Sequence, residues 1–284
     1  MKLSCLPVSL YPDFVAGRRT LGDWFRMAAE LGLDGADVSV AHITSRAPTD
    51  LAALRREAGA AGVQIVMLAT YTDFTHPDPK QRADQSDELY RWIEAATQLG
   101  ASFLRITAGQ AHSGVSEADG LAWAVAGLTA CLNDARAAGV CLLYENHVRG
   151  AIWSANDFTQ PAARFLEVFR RTSASSLEVL FDTANCLALN DDPLDVLQQV
   201  RDRVGAVHLS DIRQAGAFEP TVIGTGVAPI PQLLGMLVAN GFDGWISIEE
   251  ASRTGDEGFR QAVAYADAAW GLAGGIGRPA ALTP

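Results

Sequence analysis

The chain contains 284 residues, of which 49% are hydrophobic and 19% are charged, and this composition excludes a disordered protein. Its 22 Lys and Arg residues against 33 Asp and Glu residues give a net charge of −11, which disfavours a nucleic-acid-binding surface. No apolar run approaches the roughly 18 residues that a membrane helix requires. The four cysteines form no CxxC pair and the N-terminus has no signal-peptide core, so we expect free thiols and a cytoplasmic location.

The sequence contains a repeated motif, which consists of an alanine-rich helical run, a glycine and an apolar run rich in strand-forming residues. MAAELGLDGADVSV is its first instance and MLVANGFDGWISIEE its last. Glycine directly after a helix readily adopts the left-handed backbone that ends it. Each copy of the motif therefore predicts a helix C-terminus that leads into a strand. The glycines are Gly32, Gly62, Gly100, Gly139, Gly205 and Gly241.

Eight strands are predicted, several of them near-continuous apolar runs, which are typical of strands covered on both faces. Eight β/α units at this spacing predict one α/β domain, a (β/α)₈ TIM barrel over residues 1–272, followed by a Gly/Pro-rich tail at 273–284. A doubly wound open sheet is the alternative, but YPDFVAGRRT after the first strand does not fit the phosphate-binding pattern GxGxxG. The strands are predicted at 2–10, 36–40, 64–70, 102–108, 140–145, 177–182, 206–210 and 245–249.

Polar side chains occur at the ends of the last four predicted strands. Glu145 ends the fifth strand, Asp182 ends the sixth and His208 lies in the seventh. The eighth ends in Glu249 and Glu250, which point to opposite faces of the strand, and the alternation alone does not decide between them. Barrel active sites lie at the C-terminal ends of the strands, and an unpaired buried carboxylate is costly. The pattern therefore indicates a functional site at this end.

Three carboxylates and one imidazole are a suitable ligand set for one divalent cation. Oxygen-dominated ligation favours Mn²⁺ or Mg²⁺, while the histidine also admits Co²⁺ or Zn²⁺.

The strings LLYENH, LFDTAN, VHLSD and IGTG, the last followed by VAPIPQLLGMLVANGFDGWISIEE, occur in this order. In this order and at this spacing the chain resembles the xylose-isomerase-like sugar phosphate isomerase/epimerase superfamily, most strongly from 140 to 250. The resemblance implies a (β/α)₈ barrel with one divalent metal, and it selects Glu249 as the fourth ligand. It also implies that Glu145 and Glu249 act as the acid/base pair. The implied metal ligands are Glu145, Asp182, His208 and Glu249.

One position departs from the pattern of that superfamily. Many members have Asp-x-x-His at the sixth strand, whereas this chain has Asn185 at the fourth position. An amide can hydrogen-bond a sugar hydroxyl, but it neither titrates near neutrality nor offers a good nitrogen ligand. The related endonuclease IV group binds three zinc ions and needs that histidine and a basic surface. Asn185 and the net charge of −11 therefore disfavour a nuclease.

The leading functional hypothesis is a metal-dependent isomerase or epimerase that removes a proton beside the carbonyl of a keto sugar or polyol. A metal at the carbonyl would stabilise the developing negative charge, and Glu145 and Glu249 could transfer the proton. The alternative is a lyase or dehydratase, because the same proton removal starts a β-elimination on a keto sugar, keto-glycoside or inosose. His147, two residues after Glu145, would then act as acid or base. A non-catalytic binding barrel is disfavoured by the intact ligand set.

Four further residues are expected to bind the substrate: Asn185, Arg213, Trp153 and His112. Arg213 could hold a hydroxyl or an anionic group, or lie at the surface, and Trp153 could stack on a sugar ring. The segment GTG at 224–226 fits a phosphate contact or, better, a tight turn. Without an accompanying Arg/Lys cluster, the expected substrate is an unphosphorylated small sugar. A homo-oligomer is compatible with this type of barrel.

Overall fold

The eight strands form one parallel sheet that curves into a nearly closed barrel, so the predicted (β/α)₈ fold is confirmed. The computed structural model describes residues 1–278, and residues 279–284 of the predicted tail lie outside it. The strands are β1 (Lys2–Leu6), β2 (Gly35–Ser39), β3 (Gln64–Ala69), β4 (Phe103–Ile106), β5 (Cys141–Glu145), β6 (Glu178–Asp182), β7 (Val204–Leu209) and β8 (Trp245–Glu249). The helices are α1 (Tyr11–Val15), α2 (Leu21–Glu30), α3 (Pro48–Ala61), α4 (Pro79–Leu99), α5 (Glu117–Ala130), α6 (Leu132–Ala137), α7 (Ala162–Arg171), α8 (Pro193–Val200), α9 (Ile230–Ala239) and α10 (Asp256–Leu272).

Hydrogen bonds between β1 and the start of β2 bring the two ends of the sheet together. The N–H of Leu3 donates to Asp34 Oδ2 at 2.8 Å, and the carbonyl of Leu3 accepts from the N–H of Asp34 at 2.8 Å. Deeper in the barrel, the Ser4 hydroxyl on β1 donates to Asp37 Oδ2 on β2 at 2.9 Å. These contacts complete the ring, so all eight strand ends face one mouth.

The first strand is shorter than its predicted range of 2–10. It ends at Leu6, and a 3₁₀ turn over Val8–Leu10 leads into α1. Pro7 has no N–H to continue the ladder, and Pro12 favours the first turn of a helix. The apolar residues of 8–10 therefore belong to a loop at the barrel mouth.

Five of the six glycines of the repeated motif follow the end of a helix and have positive φ, as predicted. Gly62, for example, has φ of 88° after α3. Gly205 is the exception, and its assignment to a helix end is wrong, because it lies inside β7. A Cβ atom there would lie 2.1 Å from Oε2 of Glu178 and 2.9 Å from Cδ2 of Leu143. The side chains of Glu178 on β6 and Leu143 on β5 therefore occupy the space beside this glycine.

The barrel interior is apolar at its base and polar at its mouth. A cluster of buried side chains fills the base: Val66, Met67, Leu143, Leu180, Ala206 and Trp245. The register sets Asp182 beside His208 and Leu6 beside Glu249, which brings the polar strand ends to a common level. Among residues 1–278, no helix combines the length and the apolar character needed to cross a membrane.

Candidate active site

Four side chains from the last four strands meet at the mouth of the barrel. Glu145, Asp182, His208 and Glu249 each place one potential ligand atom within 4.8 Å of the others. His208 Nδ1 lies 2.6 Å from Oε1 of Glu145 and 2.9 Å from Oε2 of Glu249. Glu145, Asp182 and His208 are fully buried, whereas the side chain of Glu249 is 23% exposed and reaches the open side. Glu250 points elsewhere, since its carboxylate accepts from the N–H of Ser252 at 3.0 Å.

Backbone and side-chain donors orient the carboxylate of Asp182. Its Oδ1 accepts hydrogen bonds from the N–H groups of Ala184 at 2.9 Å and Asn185 at 2.7 Å. The hydroxyl of Ser210 donates to the same oxygen at 2.8 Å. Oδ2 is buried and has no hydrogen-bond partner within the described residues. One oxygen of Asp182 is thus anchored, and the other is free to bind a ligand.

Arg105 supplies a buried positive charge beside Glu145. It lies on β4, and its Nη1 donates to Oε2 of Glu145 at 2.8 Å. The guanidinium is 5.0 Å from the ring of Tyr71, whose Oη is 3.0 Å from the hydroxyl of Ser39. Glu145 is therefore held from two sides, by Arg105 and by His208.

The close approach of these charges shifts three pKa values. Burial alone would raise the pKa of Glu145, but Arg105 and His208 outweigh burial and hold it well below its ordinary value. Burial would lower the pKa of His208, but Glu145 and Glu249 outweigh it and raise that pKa to about 10. Burial, with the charges of Glu249 and Glu145, raises the pKa of Asp182 to about 8. The clustered carboxylates therefore favour bound protons, and they would likewise favour a bound cation.

The residues of the site fit a divalent cation. In the form that would bind a metal, with the three carboxylates ionised and His208 neutral, the single guanidinium leaves an excess of two negative charges, which a divalent ion would balance. Two buried atoms at the site, Asp182 Oδ2 and His208 Nε2, lack a hydrogen-bond partner in the part of the chain that the structure describes. Buried polar atoms are rarely left unpaired, and oxygen with imidazole ligation suits several divalent ions.

His147 and Trp153 lie together in the loop after β5. Their rings meet edge to face, with centroids 5.4 Å apart. The side chain of His147 is 8% exposed, and its Nδ1 lies 3.4 Å from Oδ2 of the fully buried Asp157. Trp153 is also largely buried, so it forms a wall beside His147.

The other three residues expected to bind substrate have different surroundings. Asn185 is buried, and its amide donates to the carbonyl of Asn146 at 3.1 Å. His112 Nε2 lies 2.8 Å from Oδ2 of Asp73 in the preceding βα loop. Arg213 has a 69% exposed side chain, and its Nε is 4.0 Å from Glu219, so its environment is that of a surface residue.

Sequence analysis did not identify three residues that support the site: Arg105, Asn146 and Asp157. The sequence could have indicated Arg105, because it is the single charged residue in the apolar strand segment SFLRITA. Asn146 bonds the backbone of Asp182 in both directions, donating to its carbonyl at 2.9 Å and accepting from its N–H at 2.7 Å. Asp157 comes ten residues after His147 along an irregular loop, where no periodicity could indicate the contact.

The sequence model of the family described as xylose isomerase-like TIM barrel matches residues 25–269, which is most of the chain. The chain belongs to this family. The resemblance read from the strand-end motifs is thereby confirmed.

This xylose isomerase-like barrel is similar in sequence to curated dehydratases and in fold to several solved structures. Inosose dehydratase from Lacticaseibacillus casei is 25% identical over 131 residues, covering 40% of this chain and 42% of that protein. The chain thus spans about two fifths of the length of this curated relative. A solved D-tagatose 3-epimerase-like protein superposes with a TM-score of 0.78 at 16% identity, covering 96% of this chain and 98% of that one. The IOLI protein, solved with a bound zinc atom, superposes with a TM-score of 0.76 at 15% identity, covering 95% of this chain and 98% of that one.

Proposed function

We propose that this barrel is a divalent-metal-dependent isomerase or epimerase that removes a proton beside the carbonyl of a small keto sugar or polyol. The observation that carries the proposal is the convergence of Glu145, Asp182, His208 and Glu249 within 4.8 Å at the barrel mouth. These four residues would hold the ion, with Mn²⁺ or Mg²⁺ favoured by the oxygen ligands. When bound, the ion would polarise the substrate carbonyl and stabilise negative charge on its oxygen.

The two glutamates are suited to proton transfer from different directions. Glu145 comes from β5 and Glu249 from β8, three strands apart in the ring. Glu249 is the more accessible of the two, because its side chain is 23% exposed while that of Glu145 is fully buried. A carboxylate on each side of a planar carbon could remove a proton from one face and return it to the other. This arrangement supports epimerisation or isomerisation.

A second candidate is a lyase that performs β-elimination on a keto sugar, keto-glycoside or inosose. The placement of His147 favours it, since this ring lies two residues after Glu145 and has a buried carboxylate 3.4 Å from one nitrogen. A histidine near the carbonyl could remove the proton or protonate the leaving group. The relative that is an inosose dehydratase is consistent with this candidate.

The proposed substrate is an uncharged small sugar, with Trp153 as a wall and Asn185 as a polar contact. We place the enzyme in the cytoplasm, because all four cysteines are free thiols.

Metal analysis tests the ligand assignment. Protein purified with Mn²⁺ should carry about one ion per chain. Glu145→Gln and His208→Ala should both lower this content. Glu250→Gln is the matched control, because this neighbouring glutamate is equally buried but bonds Ser252. Full metal content in both ligand variants would refute the proposed site.

Isotope exchange in D₂O separates the two reactions. D-Tagatose, D-fructose and an inosose are suitable first substrates. An isomerase or epimerase should introduce deuterium beside the carbonyl without releasing water or another leaving group. A lyase should release one leaving group per turnover. His147→Ala should leave the two-glutamate epimerase substantially active but stop the lyase, and neither exchange nor release with any candidate would count against both.

A further inference from the structure

We propose that Asp157 is a positioning residue that holds His147 in one orientation and one tautomer at the barrel mouth. The inference rests on the second candidate function, the lyase, only in giving His147 a role in the reaction. Oδ2 of Asp157 lies 3.4 Å from Nδ1 of His147, and both side chains are more than nine-tenths buried. Neither atom has a hydrogen bond to any other described residue. Each is thus the available partner of the other.

The separation of 3.4 Å is somewhat longer than an ordinary hydrogen bond. Catalytic hydrogen bonds are commonly long in ligand-free structures and shorten when the substrate binds. A shift of a few tenths of an ångström, together with a small rotation of the imidazole that points Nδ1 at the carboxylate, would complete the hydrogen bond.

The carboxylate of Asp157 is itself held in place. Its Oδ1 accepts from the N–H and from the hydroxyl of Thr159, both at 2.7 Å. The N–H of Asp157 donates to the carbonyl of Val148 at 2.8 Å, and the next N–H, of Phe158, donates to Gly109 at 2.7 Å. The segment around Asp157 therefore joins the loops after β4 and β5, so Oδ2 keeps a constant direction towards His147.

The other side of the His147 ring is restricted by packing. Trp153 meets it edge to face at 5.4 Å. Trp153 is in turn confined, because a Cβ atom on Gly150 would lie 2.9 Å from its ring and 2.8 Å from the ring of Tyr71. The imidazole is thus held between a carboxylate and an indole.

This arrangement leaves one ring nitrogen for chemistry. A carboxylate can only accept, so in the neutral imidazole it selects the tautomer with the proton on Nδ1. The lone pair then lies on Nε2, the ring nitrogen that does not face Asp157.

Nuclear magnetic resonance of histidine ring nitrogens tests the tautomer without any substrate. The chain has 5 histidines, and His147→Gln identifies the signals of His147. At mildly alkaline pH, the native protein should show a protonated Nδ1 and an unprotonated Nε2 at this ring. Asp157→Asn should move the ring proton from Nδ1 to Nε2, because the amide can donate a hydrogen bond to Nδ1. A native ring protonated on Nε2, or unchanged signals in Asp157→Asn, would overturn the proposal.

A second histidine–aspartate pair supplies the matched control. His112 lies 2.8 Å from Asp73 in the neighbouring loops. Asp73→Asn should alter the signals of His112 and leave those of His147 unchanged. Equal changes at His147 in both variants would mean that Asp157 has no specific effect.

Kinetics then connect the tautomer to the reaction. With a substrate that undergoes β-elimination, Asp157→Asn should lower kcat by about 10²- to 10⁴-fold, because losing the carboxylate that orients a functional histidine has costs between these values. KM and metal content should stay near native values. Thr159→Val is a milder second variant that loosens the carboxylate and should give a smaller loss. A native kcat for elimination in both variants refutes the proposal, whereas absent metal binding with the expected tautomer refutes only the proposed function.

Discussion

Arg105 on β4 and Glu145 on β5 form an ion pair of 2.8 Å in which both side chains are almost fully buried. The pair places a positive charge against one carboxylate of the site. It therefore stabilises a cluster that would otherwise hold three neighbouring negative charges.

Replacing Arg105 should destabilise the metal-free protein strongly. Arg105→Met leaves a buried carboxylate without its counter-charge, which typically costs about 3–5 kcal/mol of unfolding free energy. Urea denaturation in EDTA measures the loss, and added Mn²⁺ should recover part of it. Arg91→Met is the control, because Arg91 pairs with Glu88 at the surface and is 56% exposed. Equal stability of the two variants would contradict the assigned role of Arg105.

Metal-induced stabilisation should increase with pH. The pKa of Asp182 is about 8 in the folded chain, against about 3.9 when unfolded. Between these values the folded state binds more protons, so the stability of the metal-free protein falls as pH rises. His208 acts in the same direction, since its folded pKa of about 10 lies above the unfolded value. A cation displaces these protons, and its binding becomes easier as they are lost.

Thermal unfolding checks this pH dependence. The difference in Tm between samples with Mn²⁺ and with EDTA should grow between about pH 6 and pH 9. A constant or decreasing difference would show that Asp182 and His208 do not exchange protons for the metal.

Asn146 should be required for the geometry of Asp182. Asn146→Ala removes both bonds to the backbone of Asp182 and leaves a buried N–H and carbonyl without these partners, at about 1–3 kcal/mol each. We expect lower stability and weaker metal binding, measured by urea denaturation and metal titration. Asn156→Ala is a suitable control, since this exposed amide bonds only Gln160. Unaltered metal affinity in Asn146→Ala would mean that Asp182 is positioned without it.

Asp211 should hold the loop after β7 in its folded form. Its two carboxylate oxygens accept four backbone N–H groups between 2.8 and 3.0 Å, two of them from Gly224 and Gly226. The segment GTG is thus a turn around a carboxylate. Asp211→Ala should accelerate amide hydrogen exchange at these glycines, whereas Asp202→Ala, at an 86% exposed position, should not. Slow exchange at both glycines in Asp211→Ala would contradict this assignment.

Much of the architecture could be predicted because it depends on local pattern. The glycines after helices, the apolar strands and the polar strand ends are all features of neighbouring residues. Errors arose where a long-range contact competes with the local pattern. Gly205 has the sequence context of a helix end, but it lies in β7, which pairs with β6, and the side chains of Glu178 on β6 and Leu143 on β5 pack against it.

The sequence pattern determined the number of strands, the class of fold and three of the four residues proposed as metal ligands, while the family resemblance selected Glu249 over Glu250. In a parallel barrel the C-terminal strand ends must face one mouth, so the order of the strands along the chain indicates which ends meet. The tertiary structure alone decided which groups support these residues. Arg105 and Glu145 are 40 residues apart, and Asp157 reaches His147 only through a loop without periodicity. Such contacts depend on strand register and loop path, which arise when the ring closes and leave no repeating signal in the sequence.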